Sequence, residues 1–290
     1  MSKTLFCFGY GYTAAALARR LREDGFAAEG TTRTQDKCAA MEAEGVAPRL
    51  WTGAFDPAWL EGGSHILIST PPDETGCPAF RAASGELVKR REALRWVGYL
   101  STNGVYGDHG GALVDENSSL RPTSERARRR IQAEADWASL AAAWELPLFI
   151  FRLPGIYGPK RSALDAARAG KARRIDKEGQ VFSRMHVDDI AAALCASMTR
   201  PRLYGLYNLA DDEPAPPQDV VAYACRLLGL EPPPLTPIDK ADLSPMSKSF
   251  YADNKRVSNK RMKKALGVAL RYPTYRDGLD AIFAAESDPA

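Results

Sequence analysis

The chain has few of the residues that bind metals or cross-link a fold. Its three histidines, His65, His109 and His186, have no cysteine partners at metal-ligand spacing. Its five cysteines, Cys7, Cys38, Cys77, Cys195 and Cys225, are scattered without a CxxC. A zinc ribbon or a disulfide framework is thereby excluded, and buried thiols in a reducing, cytoplasmic setting are expected. No apolar run approaches the roughly 18 residues of a membrane helix, and no leader-like apolar region follows Met1, so neither a membrane span nor export is expected. Charge of one sign is also scarce. The 39 basic and 36 acidic residues leave a formal +3, too little excess for a general nucleic-acid binder. What remains is an ordinary globular composition, 45% apolar and 26% charged, in a chain of 290 residues that can bury one large core.

The order of apolar runs predicts an α/β fold. "TLFCFG" (4–9) reads as a buried strand ending at glycine, and "YTAAALARRLREDG" (12–25) as a helix with a Gly stop. A strand at 26–34, a helix at 36–45 and a strand at 64–70 follow. Further helices are expected at 85–96, 123–145 and 183–200, with strands at 97–102, 147–153 and 205–210 between them. Such alternation predicts a doubly wound parallel sheet with helices on both faces, a Rossmann arrangement. Residues 1–160, completed by 176–212, are expected to form this sheet domain. The proline-rich remainder, 161–175 and 213–290, is expected to form a smaller C-terminal substrate lobe, with helices near 217–229, 255–266 and 274–286.

Between the first strand and helix, "FGYGYTA" supplies Gly9, Gly11 and Ala14 in a GxGxxA spacing, with Tyr12 opening the helix. The first glycine permits a tight turn, the second lets the backbone approach a pyrophosphate, and the small third residue lets the helix pack closely. Phosphate oxygens would meet the free N–H groups of the helix start. At the end of the second strand, where an acidic residue would bind the ribose 2′-hydroxyl of NAD, the chain has "TTRT". Arg33 suits a 2′-phosphate, which favours NADP over NAD, although a surface arginine at a strand end would look the same.

Four later motifs carry a resemblance. "YLSTNGVYGDHGG" (99–111), "FRLPGIYGP" (151–159), "MHVDDIAAAL" (185–194) and "RVSNKRMKKALG" (256–267) occur in the order found in extended short-chain dehydrogenases/reductases of the NAD-dependent epimerase/dehydratase group, and the chain resembles the atypical members of that group. The resemblance implies that Thr102 is the catalytic Ser/Thr and that "TPP" (70–72), with Thr70 and Pro71, lies near the cofactor ribose. It also implies a small-molecule substrate, for example a nucleotide sugar, and a homodimer through helices at 85–96 and 123–145. The family's YxxxKxxxE, counted back from Glu134, puts Arg130 on the lysine and Arg126 on the tyrosine. Arginine stays protonated and donates hydrogen bonds, so it holds an anion well and shuttles protons poorly. Four readings stay open: Tyr99, Tyr106, Tyr157 or His186 supplies the proton; Arg126, Arg130 and Arg152 bind an anionic substrate; the chain binds NADP without turnover; or Arg126 and Arg130 are a solvated i, i+4 helix face. A metal at His186, Asp188 and Asp189 is not expected, because two aspartates at a helix start are satisfied by capping.

Overall fold

The computed structural model describes residues 3–200 and 202–287. A seven-stranded parallel sheet forms its centre. The strands are β1 (Thr4–Phe8), β2 (Ala27–Thr32), β3 (Ala47–Leu50), β4 (His65–Ile68), β5 (Trp96–Thr102), β7 (Leu148–Leu153) and β11 (Gly205–Asn208), in the order β11-β7-β5-β4-β1-β2-β3. The direction of winding reverses between β1 and β4, which opens a crevice at the carboxyl ends of these strands. Helices α1 (Tyr12–Glu23), α2 (Gln35–Ala43), α3 (Pro78–Lys89), α4 (Glu125–Trp144) and α6 (Val187–Met198) cover the two faces.

Strand alternation builds both cores. Leu5 and Cys7 of β1 join Leu17, Phe149, Phe151 and Leu194 on one side of the sheet. Phe6 and Phe8 join Ile66, Ile68, Tyr99 and Trp137 on the other. A strand buried on both faces must be apolar at every position, and "LFCF" is.

Three short parallel strand pairs lie outside the central sheet: β6 (Leu113–Val114) with β13 (Arg256–Val257), β8 (Gly155–Tyr157) with β10 (Arg184–His186), and β9 (Arg174–Asp176) with β12 (Leu235–Pro237); the first ties the C-terminal residues to the segment after β5. A third apolar cluster, with Tyr157, Leu164, Ala224, Tyr275 and Leu279, joins α5 (Ala163–Arg168), α7 (Pro217–Leu227) and α10 (Tyr275–Ser287). Helices α8 (Pro245–Ala252) and α9 (Lys260–Leu266) lie on either side of β13.

Some sequence expectations shift. The helix expected at 85–96 spans 78–89, because Pro78 opens its first turn, where a missing N–H does no harm. The run from 183 begins as strand β10, and the helix starts only after His186, whose Nδ1 accepts the Asp188 N–H at 3.2 Å. The stretch expected as a helix from 255 likewise begins as β13. Strand β3, an edge strand containing Pro48, was not expected at all. Cys7, Cys38, Cys77 and Cys225 are buried and unbridged, while Cys195 is half-buried. Among the described residues no helix is long and apolar enough to cross a membrane.

Candidate active site

The glycine turn after β1 is built to stay open. Gly9 has φ +84°, and a Cβ there would lie 3.1 Å from Thr70 Cγ2 and 3.3 Å from the Thr70 nitrogen. Thr31 of β2 fixes the turn from the side: its hydroxyl accepts the Gly9 N–H at 2.8 Å and its carbonyl the Tyr10 N–H at 2.9 Å. Gly11 is the N-cap of α1, and no side chain caps that helix, so the first-turn N–H groups remain available to an anion. Ala14 is fully buried beneath β1. Thr70 Oγ1 is buried with no hydrogen-bond partner among the described residues. An uncapped helix start beside an orphaned buried hydroxyl fits a dinucleotide. Arg33 is exposed just past β2, and Pro71 is exposed just past β4.

Tyr12 belongs to the neighbouring wall. Its hydroxyl donates to Pro159 O at 2.9 Å and its ring lies under the Arg161 guanidinium, so its side chain braces the 158–161 turn.

A cleft of about 870 Å³ begins at this end, at Tyr12, Thr13 and Ser69, and runs past Thr102 to the C-terminal lobe. Thr102 ends β5. Its Oγ1 accepts the Gly104 N–H at 3.1 Å, which leaves the hydroxyl proton free to be donated to a substrate oxygen.

Arg126 and Arg130 both line the cleft, one helical turn apart on α4. They differ in setting. Arg126 is exposed at the lip, whereas Arg130 is 9% exposed and donates to Leu100 O at 2.7 Å and Tyr99 Oη at 3.2 Å. The solvated-face reading therefore fails for Arg130. It describes the neighbours instead, since Arg128 pairs with Glu125 and Arg129 with Glu74 on the outside.

Arg152 does not join them. It is locked in a buried fork on Glu134, with Nη2 to Oε2 at 2.7 Å and Nε to Oε1 at 3.1 Å, and Ser101 Oγ donates to the same carboxylate. Its guanidinium carbon lies 4.8 Å from the centre of the Tyr106 ring. The expectation that Arg152 binds substrate is corrected: its charge is already matched inside the protein.

Most of the proposed proton donors also face away. Tyr99 is buried against Arg130, and burial pushes its phenol up to about 12. Tyr106 donates to Asn208 Oδ1 at 2.7 Å, and His186 is buried as the cap of α6. Tyr157 lines the cleft, but its hydroxyl turns to Thr274 O and burial raises its pKa.

The residue missed from sequence is Lys255. It lines the cleft at 8% exposure, and its ammonium donates to Gly107 O at 2.9 Å and lies 3.5 Å from Asp253 Oδ2. Burial pushes its pKa below the ordinary lysine value, with Asp253 opposing. Among the described residues no group of three His, Cys, Asp or Glu is placed to hold a metal ion.

Strand order and crevice together define a doubly wound, Rossmann-like α/β protein. Residues 86–210 match the model of the NAD dependent epimerase/dehydratase family. It is 50% identical to a functionally unknown conserved protein from Silicibacter pomeroyi DSS, whose structure superposes with a TM-score of 0.92 over 99% of this chain and 100% of that one. Protein YeeZ of Escherichia coli (strain K12) is 28% identical over 286 residues, 93% of this chain and 97% of YeeZ. The fold also matches UDP-glucuronic acid 4-epimerase from Bacillus cereus, solved in complex with UDP-glucuronic acid and NAD, at TM-score 0.75 and 16% identity over 97% and 98% of the two chains.

Proposed function

We propose that the chain is a nicotinamide-dinucleotide oxidoreductase, with NADP preferred over NAD, acting on a small substrate in the cleft beside Thr102. The observation that carries this reading is the uncapped N-terminus of α1 under the open Gly9 turn, continuous with a cleft that reaches Thr102. The turn and the first N–H groups of α1 would hold the pyrophosphate, Thr70 and Pro71 would flank a ribose, and Arg33 would pair with a 2′-phosphate. When bound, such a cofactor gives or takes a hydride. Thr102 then orients the reacting oxygen through its free hydroxyl proton. Arg130 holds the β5 end in place through Leu100 O, and its remaining N–H donors stabilise negative charge as it develops.

The test is a calorimetric titration with NADPH and NADH side by side. NADPH binding at least tenfold tighter, about 1.4 kcal/mol, is expected; no binding of either dinucleotide refutes the proposal. A second reading, a dinucleotide-binding protein without turnover, draws on the two arginines at the Tyr and Lys positions and on the withdrawal of Tyr99, Tyr106 and His186 from the cleft. Oxidation of bound NADPH by any added carbonyl compound excludes it.

A further inference from the structure

The cleft is lined by two contrasting kinds of side chain. One is cationic: Arg126, Arg130, Arg161, Arg184 and Lys255. Among the described residues the carboxylates lining the cleft are Asp165 and Asp253, so five cations against two anions leave +3. Asp165 is engaged within its own turn, and Asp253 is shared between Lys255 and Thr123. Asp165 accepts from the Ser162 N–H at 2.7 Å and the Ser162 hydroxyl at 2.6 Å, and Asp253 accepts from Thr123 Oγ1 at 2.7 Å.

The Thr123–Asp253 bond brings two distant parts of the chain to one spot. Arg126 lies in the first turn of α4, just after Thr123, and Lys255 follows Asp253 by two residues. Neither is fully matched. Arg126 makes no ion pair among the described residues. Lys255 has three N–H donors and, among the described residues, two acceptors, Gly107 O and Asp253 Oδ2, so a nearly buried ammonium keeps one donor for a ligand.

The other kind is aromatic. Phe182 and Tyr251 meet edge to face at 5.3 Å, and Phe250 beside them lines the cleft while remaining 56% exposed. An exposed phenylalanine in a concave cleft lined by cations is a surface that a flat anionic ligand covers.

We propose that the cleft binds an aryl anion, an aromatic ring bearing a carboxylate or phosphate, with the anion between Arg126 and Lys255 and the ring against Phe250 and Tyr251. This names the substrate class for the oxidoreductase proposed above and rests on that reading for the reaction, though not for the binding. An anion beside Lys255 takes its spare donor and offsets the burial that lowers its pKa.

The experiment titrates the full chain with benzoate, phenyl phosphate and acetate, and separately with NADPH. At least one aryl anion is expected to bind tenfold or more tightly than acetate, and the two aryl arms distinguish carboxylate from phosphate. Arg126→Gln and Lys255→Met each weaken that binding at least fivefold, Phe250→Ala removes the preference over acetate, and Arg128→Gln on the outer face of α4 changes nothing. Acetate binding as tightly as both aryl anions, or unchanged aryl binding in Arg126→Gln, overturns the proposal. Arg126 is exposed, so this variant decides the matter even if Lys255→Met does not fold. A chain that binds an aryl anion but no NADPH keeps this site and refutes the dinucleotide reading, and the converse result does the reverse.

Discussion

Replacing Glu134 by alanine removes the only acid in the buried fork and strands Arg152. The two side chains are 8% and 5% exposed, and the carboxylate receives two guanidinium nitrogens and the Ser101 hydroxyl. Burial alone would lower the Arg152 pKa, yet the hydrogen bonds and charge of Glu134 raise it overall. Without Glu134 the cation keeps the desolvation and loses its compensation. Breaking a buried pair from one side costs about 3–5 kcal/mol. With an unfolding entropy of about 2.1 cal/mol/K per residue, 290 residues give about 0.6 kcal/mol/K, so Tm is expected to fall by about 5–8 °C. The double variant Glu134→Leu, Arg152→Met removes both charges and is expected to recover most of the loss. Thermal unfolding of wild type, single and double variants makes the comparison. A fall under 2 °C in Glu134→Ala, or a double variant no better than the single, refutes the account of Glu134 as the counter-charge.

Three other outcomes are expected. Arg33→Ala weakens NADPH by at least tenfold, in line with about 1.5–3 kcal/mol for a charged hydrogen bond, and leaves NADH unchanged; equal losses for both would show that Arg33 only supports the turn. Gly107→Ala places a Cβ 1.5 Å from Arg121 O at φ +67°, so a loss of about 4 kcal/mol or more is expected and would be read as insoluble or strongly destabilised protein. Asp211, buried, has its carboxyl raised from 3.8 to about 8 by burial, with Arg184 and the Glu213 backbone N–H opposing. Between those values the folded chain holds a proton that the unfolded chain has released, so this group makes stability fall as pH rises, by up to about 1.4 kcal/mol per unit, and level off above about 8. Unfolding followed from pH 5 to 9 should show a flatter profile in Asp211→Asn; an unchanged slope would place the effect elsewhere.

The parts of the site legible in the sequence are those whose signals are local. The GxGxxA turn, the strand before it and the helix after it are read from adjacent residues, because Gly9 needs its positive φ and Ala14 its small size within one turn of chain. Thr102 and the α4 arginines were found at motif spacing, and the structure places them in one cleft. Whether Arg130 faced solvent or the interior was not legible, since four arginines in five positions blur the helical period and only the Leu100 carbonyl separates one from its neighbours. Lys255 read only as the first residue of an expected, solvated basic helix at 255–266. Its position depends on β13 pairing with β6 across more than 140 residues and on a carbonyl, Gly107 O, that any residue could have supplied. The onset of α3 was misplaced because Pro78 reads as a loop residue when it is in fact the first residue of the helix.

The β6–β13 pair is two residues long on each side, yet it carries Lys255 to the cleft. Opening that ladder would not require the central sheet to melt, because the two structures share no strand. A ligand that engages Lys255 therefore also stabilises this two-residue ladder, because the lysine reaches the cleft only while the ladder is paired.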